Sequence, residues 1–168
     1  MKSKSFLLSN TIIFDAKPIA VPYNYRISYK IAQLVLILNL CCTSRSGCSF
    51  VKLHLISTAL NSDSSIQNLI DFMEGNISEI PLVHFDPVVN RALLYALAEK
   101  IILQQKDGKF KLSPIGKSYV GAILKDTNIM IREKLLLSKL STKVTENQVS
   151  EIMSNWRYLN AENQSYQN

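Results

Sequence analysis

Residues 85–125 read FDPVVNRALLYALAEKIILQQKDGKFKLSPIGKSYVGAILK, and this stretch decides the fold. Asp86 followed by Pro87 is a helix start. The carboxylate can accept from the orphan N–H groups of the first turn, and proline at the first helical position forfeits a hydrogen bond that the helix would not make anyway. The helix it predicts runs from Pro87 through Asn90-Arg91-Ala92-Leu93 to about Lys100. Ile101 to Gln105 then reads as a short strand. Lys106-Asp107-Gly108-Lys109 supplies an Asp-Gly hairpin turn, and Phe110-Lys111-Leu112 returns with Phe110 and Leu112 on one face. Ser113-Pro114 repeats the cap-plus-proline start and opens a helix that passes Gly116 and ends at Leu124 or Lys125.

Helix, two-stranded hairpin, helix is the order of a winged-helix unit, placed here at 82–125. Working outward, the Pro18 and Pro22 segment forbids a helix, so residues 1–27 read as an extended N-terminal arm with strand-like Phe6-Leu7-Leu8 and Thr11-Ile12-Ile13-Phe14. A helical part follows at 28–80. Its first helix, Ser28 to Cys42, is apolar nearly all round and should be contacted on more than one side. A second is expected from Cys48 to Asn61, and a third from Ser65 to Glu74, capped by Ser64 and closed by Gly75. Ile77 to Leu82 reads as a loop. C-terminal helices occupy 127–155, one starting at Thr127 or Asn128 and one at a Thr145/Gln148 capping box and ending near Ser154. Residues 156–168 read as a frayed tail. The fold class is therefore mostly α (α+β), in one domain.

The chain is 47% apolar and 19% charged, a balance that fills one core and leaves apolar surface for another subunit to cover. Its net charge of +6 is unevenly spread. Residues 1–61 hold seven Lys/Arg against one acid, 62–99 one against six, and 100–143 ten against three. A basic block beside an acidic one suits a polyanion or an acidic protein surface, and equally a solvated helical face. The most apolar run, Ile31 to Cys42, spans only ~18 Å as a helix against a bilayer core of ~30 Å, so no membrane anchor is expected. The start of the chain lacks a clean signal-peptide pattern, and Cys41, Cys42 and Cys48 fit neither a disulfide framework nor zinc spacing. A cytoplasmic protein with reduced, buried thiols is expected.

Groups that could carry chemistry are sparse. His54 and His84 are the only histidines, and neither has a metal-ligand partner at helical spacing. Phosphate-binding glycine loops and a G-x-S-x-G elbow are missing from the sequence, and the acids of 62–99 show no metal-binding pattern of a nuclease. The expectation is a non-enzyme with no cofactor. Lys106, Lys109, Lys111 and Lys117 cluster around the hairpin and can reach phosphates without reading sequence. The helix that would enter a DNA groove carries only Asn90 and Arg91 as base-reading side chains, so it is expected to be covered by protein on most sides. Two polar clusters remain, Arg45-Ser46 with Lys52 and His54, and Asp86 with Asn90 and Arg91. They read either as caps with an internal Asp86–Arg91 ion pair or as contacts to a partner subunit.

These residues also carry a resemblance. Arg45-Ser46, Lys52-Leu53-His54-Leu55, Ala59-Leu60, Phe85-Asp86-Pro87 with Asn90-Arg91-Ala92-Leu93, and the hairpin Asp107-Gly108-Lys109 with Leu112-Ser113 and Gly116 together resemble the middle components of three-component ABC-ATPase systems. The likeness is to the small subunit of Lamassu-type bacterial defence operons, and it covers roughly 28–140. It implies a non-catalytic adaptor between an SMC-like coiled-coil ATPase subunit and an effector nuclease subunit, in a complex that senses phage or plasmid DNA. The alternative from the residues alone is a winged-helix transcription regulator acting as a homodimer.

Overall fold

Small polar residues stand before most of the helices in the computed structural model, which describes residues 22–43, 46–76, 81 and 83–165. The elements are α1 (Ile27–Leu40), α2 (Phe50–Ala59), α3 (Asp63–Met73), α4 (Pro87–Ala98), β1 (Ile102–Gln104), β2 (Phe110–Leu112), α5 (Pro114–Lys125), α6 (Ile131–Leu140) and α7 (Glu146–Ser165). Short 3₁₀ turns occupy Tyr23–Tyr25 and Ser141–Lys143. The molecule is mostly helical with one small antiparallel sheet. None of the described helices is long and apolar enough to cross a membrane.

The two cap-plus-proline starts fold as written. Asp86 accepts from the Val88 N–H at 2.8 Å, and Ser113 Oγ from the Gly116 N–H at 2.9 Å. The Thr145/Gln148 box also closes reciprocally, with Gln148 N–H donating to Thr145 Oγ1 at 3.3 Å and Thr145 N–H to Gln148 Oε1 at 2.9 Å. Elsewhere the boundaries move. Ser62, not Ser64, caps α3, because its hydroxyl accepts from the Ser65 N–H while donating to the Ser65 hydroxyl. The helix expected from Thr127 or Asn128 begins at Ile131. Asp126 Oδ1 takes the Asn128 N–H in a turn, and Met130 enters α6 from a left-handed φ of 49°. The expected C-terminal tail is helical as far as Ser165, so α7 is longer than its composition promises.

Helix α1 is the axis of the core. Leu34, Val35, Leu36 and Ile37 are completely buried, and the helix touches α2, α4, α5, α6 and β2. This answers the all-round apolar pattern with contact on several sides. Arg132 of α6 pins the α2–α3 corner through the Leu60 carbonyl at 2.9 Å and Asp63 at 2.6 Å.

Helix α4 ends in a Schellman turn. The Ile101 N–H returns to the Ala96 carbonyl and the Lys100 N–H to Leu97, with Lys100 itself left-handed at φ 56°. The hairpin then pairs Ile102 with Leu112, Leu103 with Lys111 and Gln104 with Phe110. Phe110 also exchanges two 2.8 Å hydrogen bonds with Cys48, so the loop between α1 and α2 adds a one-residue bridge to the outer side of β2. Glycine is required beside that bridge. A Cβ on Gly47 would overlap Gln105 Oε1 and stand 2.9 Å from the Phe110 carbonyl oxygen. Gly116 is equally constrained, since its Cβ would overlap the Ile101 carbonyl oxygen.

The N-terminal arm as far as residue 21, Ser44 with Arg45, and the loop of 77–82 apart from Pro81 lie outside the described residues.

Candidate interaction surfaces

The two polar clusters read from the sequence regroup in space. His54 turns away from Lys52 and toward α4, where its Nε2 lies 2.8 Å from Asn90 Oδ1 and its Nδ1 accepts the Asp86 backbone N–H at 3.3 Å. Accepting at Nδ1 places the proton on Nε2, which donates to Asn90. The ring is fully buried and packs against Phe50 and Phe85, with centroids 4.5 and 5.2 Å away. Burial holds its pKa below the ordinary histidine value, against the opposing pull of Asn90, the His84 backbone and Asp86.

Lys52 points the other way. Its ammonium is buried and donates to the Cys41 carbonyl at 3.0 Å, closing the end of α1. Lys52 and His54 are thus satisfied interior groups, and the expectation that they meet a partner is corrected. Ser46 is exposed with its hydroxyl against that of Thr43.

The ion pair of Asp86 also differs from the one expected. Its carboxylate faces Lys30, 3.7 Å away, while Arg91 projects from α4 into solvent. Lys30 is 1% exposed, and its ammonium lies 3.2 Å from Gln33 Oε1 and 3.4 Å from both Ser57 Oγ and Asn61 Oδ1. Desolvation lowers the pKa of this amine and Asp86 raises it again. Together these groups sew α1, α2 and the start of α4 into one node. Sequence reading misses Lys30, Gln33, Ser57 and Asn61. The one signal for them is a cation and an amide three residues apart in a helix apolar on every other side.

The node leaves α4 two-sided. Val89, Ala92, Leu93 and Ala96 are buried against the core, whereas Leu94 is 65% and Tyr95 54% exposed. The expectation that protein covers this helix on most sides therefore holds, within the chain, for its inner half alone. Beside the bare half, Phe85 and Phe50 stack with centroids 5.9 Å apart, both partly exposed. A groove of about 420 Å³ separates α4 from the hairpin, walled by Leu93, Leu94, Leu97, Phe50 and Phe110.

The opposite face of the hairpin is basic. Phe110 is buried inward, and its chain neighbours Lys109 and Lys111 are half-buried; Lys106 and Lys117 are exposed. Lys109 is held by Asp107 at 3.5 Å. Lys111 and Lys117 line a cleft of about 510 Å³ with Asn39, Thr43 and Leu103.

The three cysteines are free and buried, and burial pushes the Cys41 thiol up to about 12. No group of three or more metal-ligating side chains occurs among the described residues. Comparison with protein-family models, with curated proteins and with solved structures gives no match.

Proposed function

We propose that this chain is a non-catalytic winged-helix adaptor that links an SMC-like, DNA-sensing ATPase to an effector nuclease in a bacterial defence complex. In this reading α1, α2 and α4 form the helical layer, the β1–β2 hairpin is the wing, and Cys48 pairs as a minimal third strand. The motif resemblance of 28–140 supports the family. The observation that carries the mode of action is the outer face of α4. Where a DNA reader presents polar side chains, it presents Leu94 and Tyr95, with Arg91 as its remaining base-reading group. Exposed leucine and tyrosine flanked by stacked Phe50 and Phe85 make a protein-docking stripe, of the kind that supplies hot spots in interfaces. Asn90 is spent on His54, so the polar contact on this helix falls to Arg91.

Co-expression with an SMC-like coiled-coil ATPase from the same operon tests the reading. Leu94→Asp with Tyr95→Asp should abolish co-purification while the melting temperature of the isolated chain stays within a few degrees. Undiminished co-purification overturns the docking assignment. A stable homodimer that shifts one promoter sequence selectively, and loses that shift with Arg91→Ala, would instead establish the transcription-regulator alternative.

A further inference from the structure

We infer that the basic face of the hairpin, away from the α4 stripe, is a track for the phosphate backbone of double-stranded DNA, read without regard to sequence. Three observations converge. First, Lys111 on β2 and Lys117 on the first turn of α5 line one cleft with the neutral donors Asn39 and Thr43. Second, Lys111 and Leu103 also line the adjoining groove that runs to Lys106 at the hairpin tip, so the three lysines border one continuous surface. Third, among the described residues Asp107 is the single acid lining that surface, and it is already neutralised by Lys109.

The occupant follows from what the track offers and lacks. Lysine ammoniums and amide or hydroxyl groups suit phosphate oxygens, which fix position without reporting base identity. The cations shown lining the two clefts are lysines, point charges suited to phosphate oxygens. The aromatic among the lining residues, Phe110, is 5% exposed, so unpaired bases find no stacking platform of the kind single-strand binders use. The surface is therefore fitted to a duplex. It sits on different residues from the protein-docking stripe, so one molecule can engage both partners.

The measurement is fluorescence anisotropy of the full-length chain with two short labelled duplexes of unrelated sequence, over about 50 to 200 mM salt. Neutralising three phosphates predicts a slope of about −3 in log affinity against log salt, equal for both duplexes. Lys106→Gln, Lys111→Gln and Lys117→Gln should each reduce the steepness by about one, with circular dichroism unchanged. Leu94→Asp should leave binding intact. The inference is overturned if the slopes survive all three glutamine variants, if one duplex is strongly preferred, or if a single strand or polyglutamate binds as well as the duplex. It is likewise overturned if Leu94→Asp abolishes DNA binding, for then α4 faces the DNA. Because the assay needs no ATPase, its failure leaves the adaptor reading standing, and the reverse also holds.

Discussion

Replacing Asp86 by Asn should cost about 2–3 kcal/mol and should be repaired by a second change at Lys30. Asparagine caps a helix as well as aspartate does, so the start of α4 keeps its hydrogen bond to the Val88 N–H. What is lost is the carboxylate 3.7 Å from a lysine that is 1% exposed. At an effective dielectric of about 20, unit charges at that separation attract by about 4 kcal/mol. Asp86 is 21% exposed and the ammonium keeps three neutral acceptors, which together reduce the net loss to about 2–3 kcal/mol. The pH dependence fixes the mechanism. Without Asp86 the folded-state pKa of Lys30 falls further below its unfolded value near 10.4. The folded chain then resists a proton that the unfolded chain accepts, so the deficit is small at high pH and grows as pH falls toward neutral. Lys30→Met removes the amine altogether. Asp86→Asn with Lys30→Met should be within about 1 kcal/mol of wild type, since a buried ion pair replaced by packed side chains is near neutral. Urea unfolding followed by circular dichroism, at neutral and alkaline pH, gives all four corners of the cycle. Additive effects of the two changes would refute the pairing, as would a single Asp86→Asn cost below about 0.5 kcal/mol.

The same unfolding measurements reach other parts of the fold. Gly116→Ala should lower stability by about 2 kcal/mol although alanine favours helices, because its Cβ would drive α5 off the Ile101 carbonyl that also receives the Ser113 N–H; a gain in stability would show that the contact yields. Lys100→Gly should raise stability by about 0.5–1 kcal/mol, since glycine relieves the left-handed turn at φ 56° at some cost in unfolded-chain entropy; an unchanged or lower midpoint would count against that relief. His54, held neutral by burial, makes the fold less stable as pH drops below about 6.5, where the unfolded chain takes up a proton that the folded one resists. Thermal melts between about pH 7.5 and 5.5 should show that decline, and His54→Gln should flatten it; an equal decline in both proteins would assign it elsewhere.

Local grammar makes much of the fold legible. Asp86-Pro87, Ser113-Pro114, Asp107-Gly108 and Thr145 with Gln148 each close hydrogen bonds within a few residues, so sequence alone carries their geometry. The differences fall where competition is local but close, as among Ser62, Ser64 and Ser65, or where a side chain finds a partner far along the chain. Lys30 and Asp86 stand at the starts of two helices well separated in sequence, and a lysine in isolation reads as solvated surface. The regrouping of His54 with Asn90 has the same origin, since which neighbour a buried ring meets depends on how α2 packs on α4. The C-terminal end of α7 differs for another reason. Asn155, Asn160 and Asn163 are weak helix formers and argue for fraying, but Leu159, Ala161 and Glu162 between them are strong ones. Each further residue of a helix already nucleated at Glu146 adds a backbone hydrogen bond, so continuation to Ser165 wins over the local penalty of the asparagines.

The bridge between Cys48 and Phe110 has a mechanical consequence. A hairpin joined to the body at its base alone can swing like a flap, but the paired bonds of Phe110 to Cys48 also tie the outer edge of this one to the loop after α1, while the Ser113 N–H to Ile101 closes the base of its own ladder. With Gly47 wedged against Gln105 and the Phe110 carbonyl, little slack remains for a hinge. The lysine-bearing side is therefore tied, through Cys48, to the loop that follows α1. On the adaptor reading, a pull exerted there would reach α1 and the body of the chain through this tie instead of being lost in a swinging hairpin.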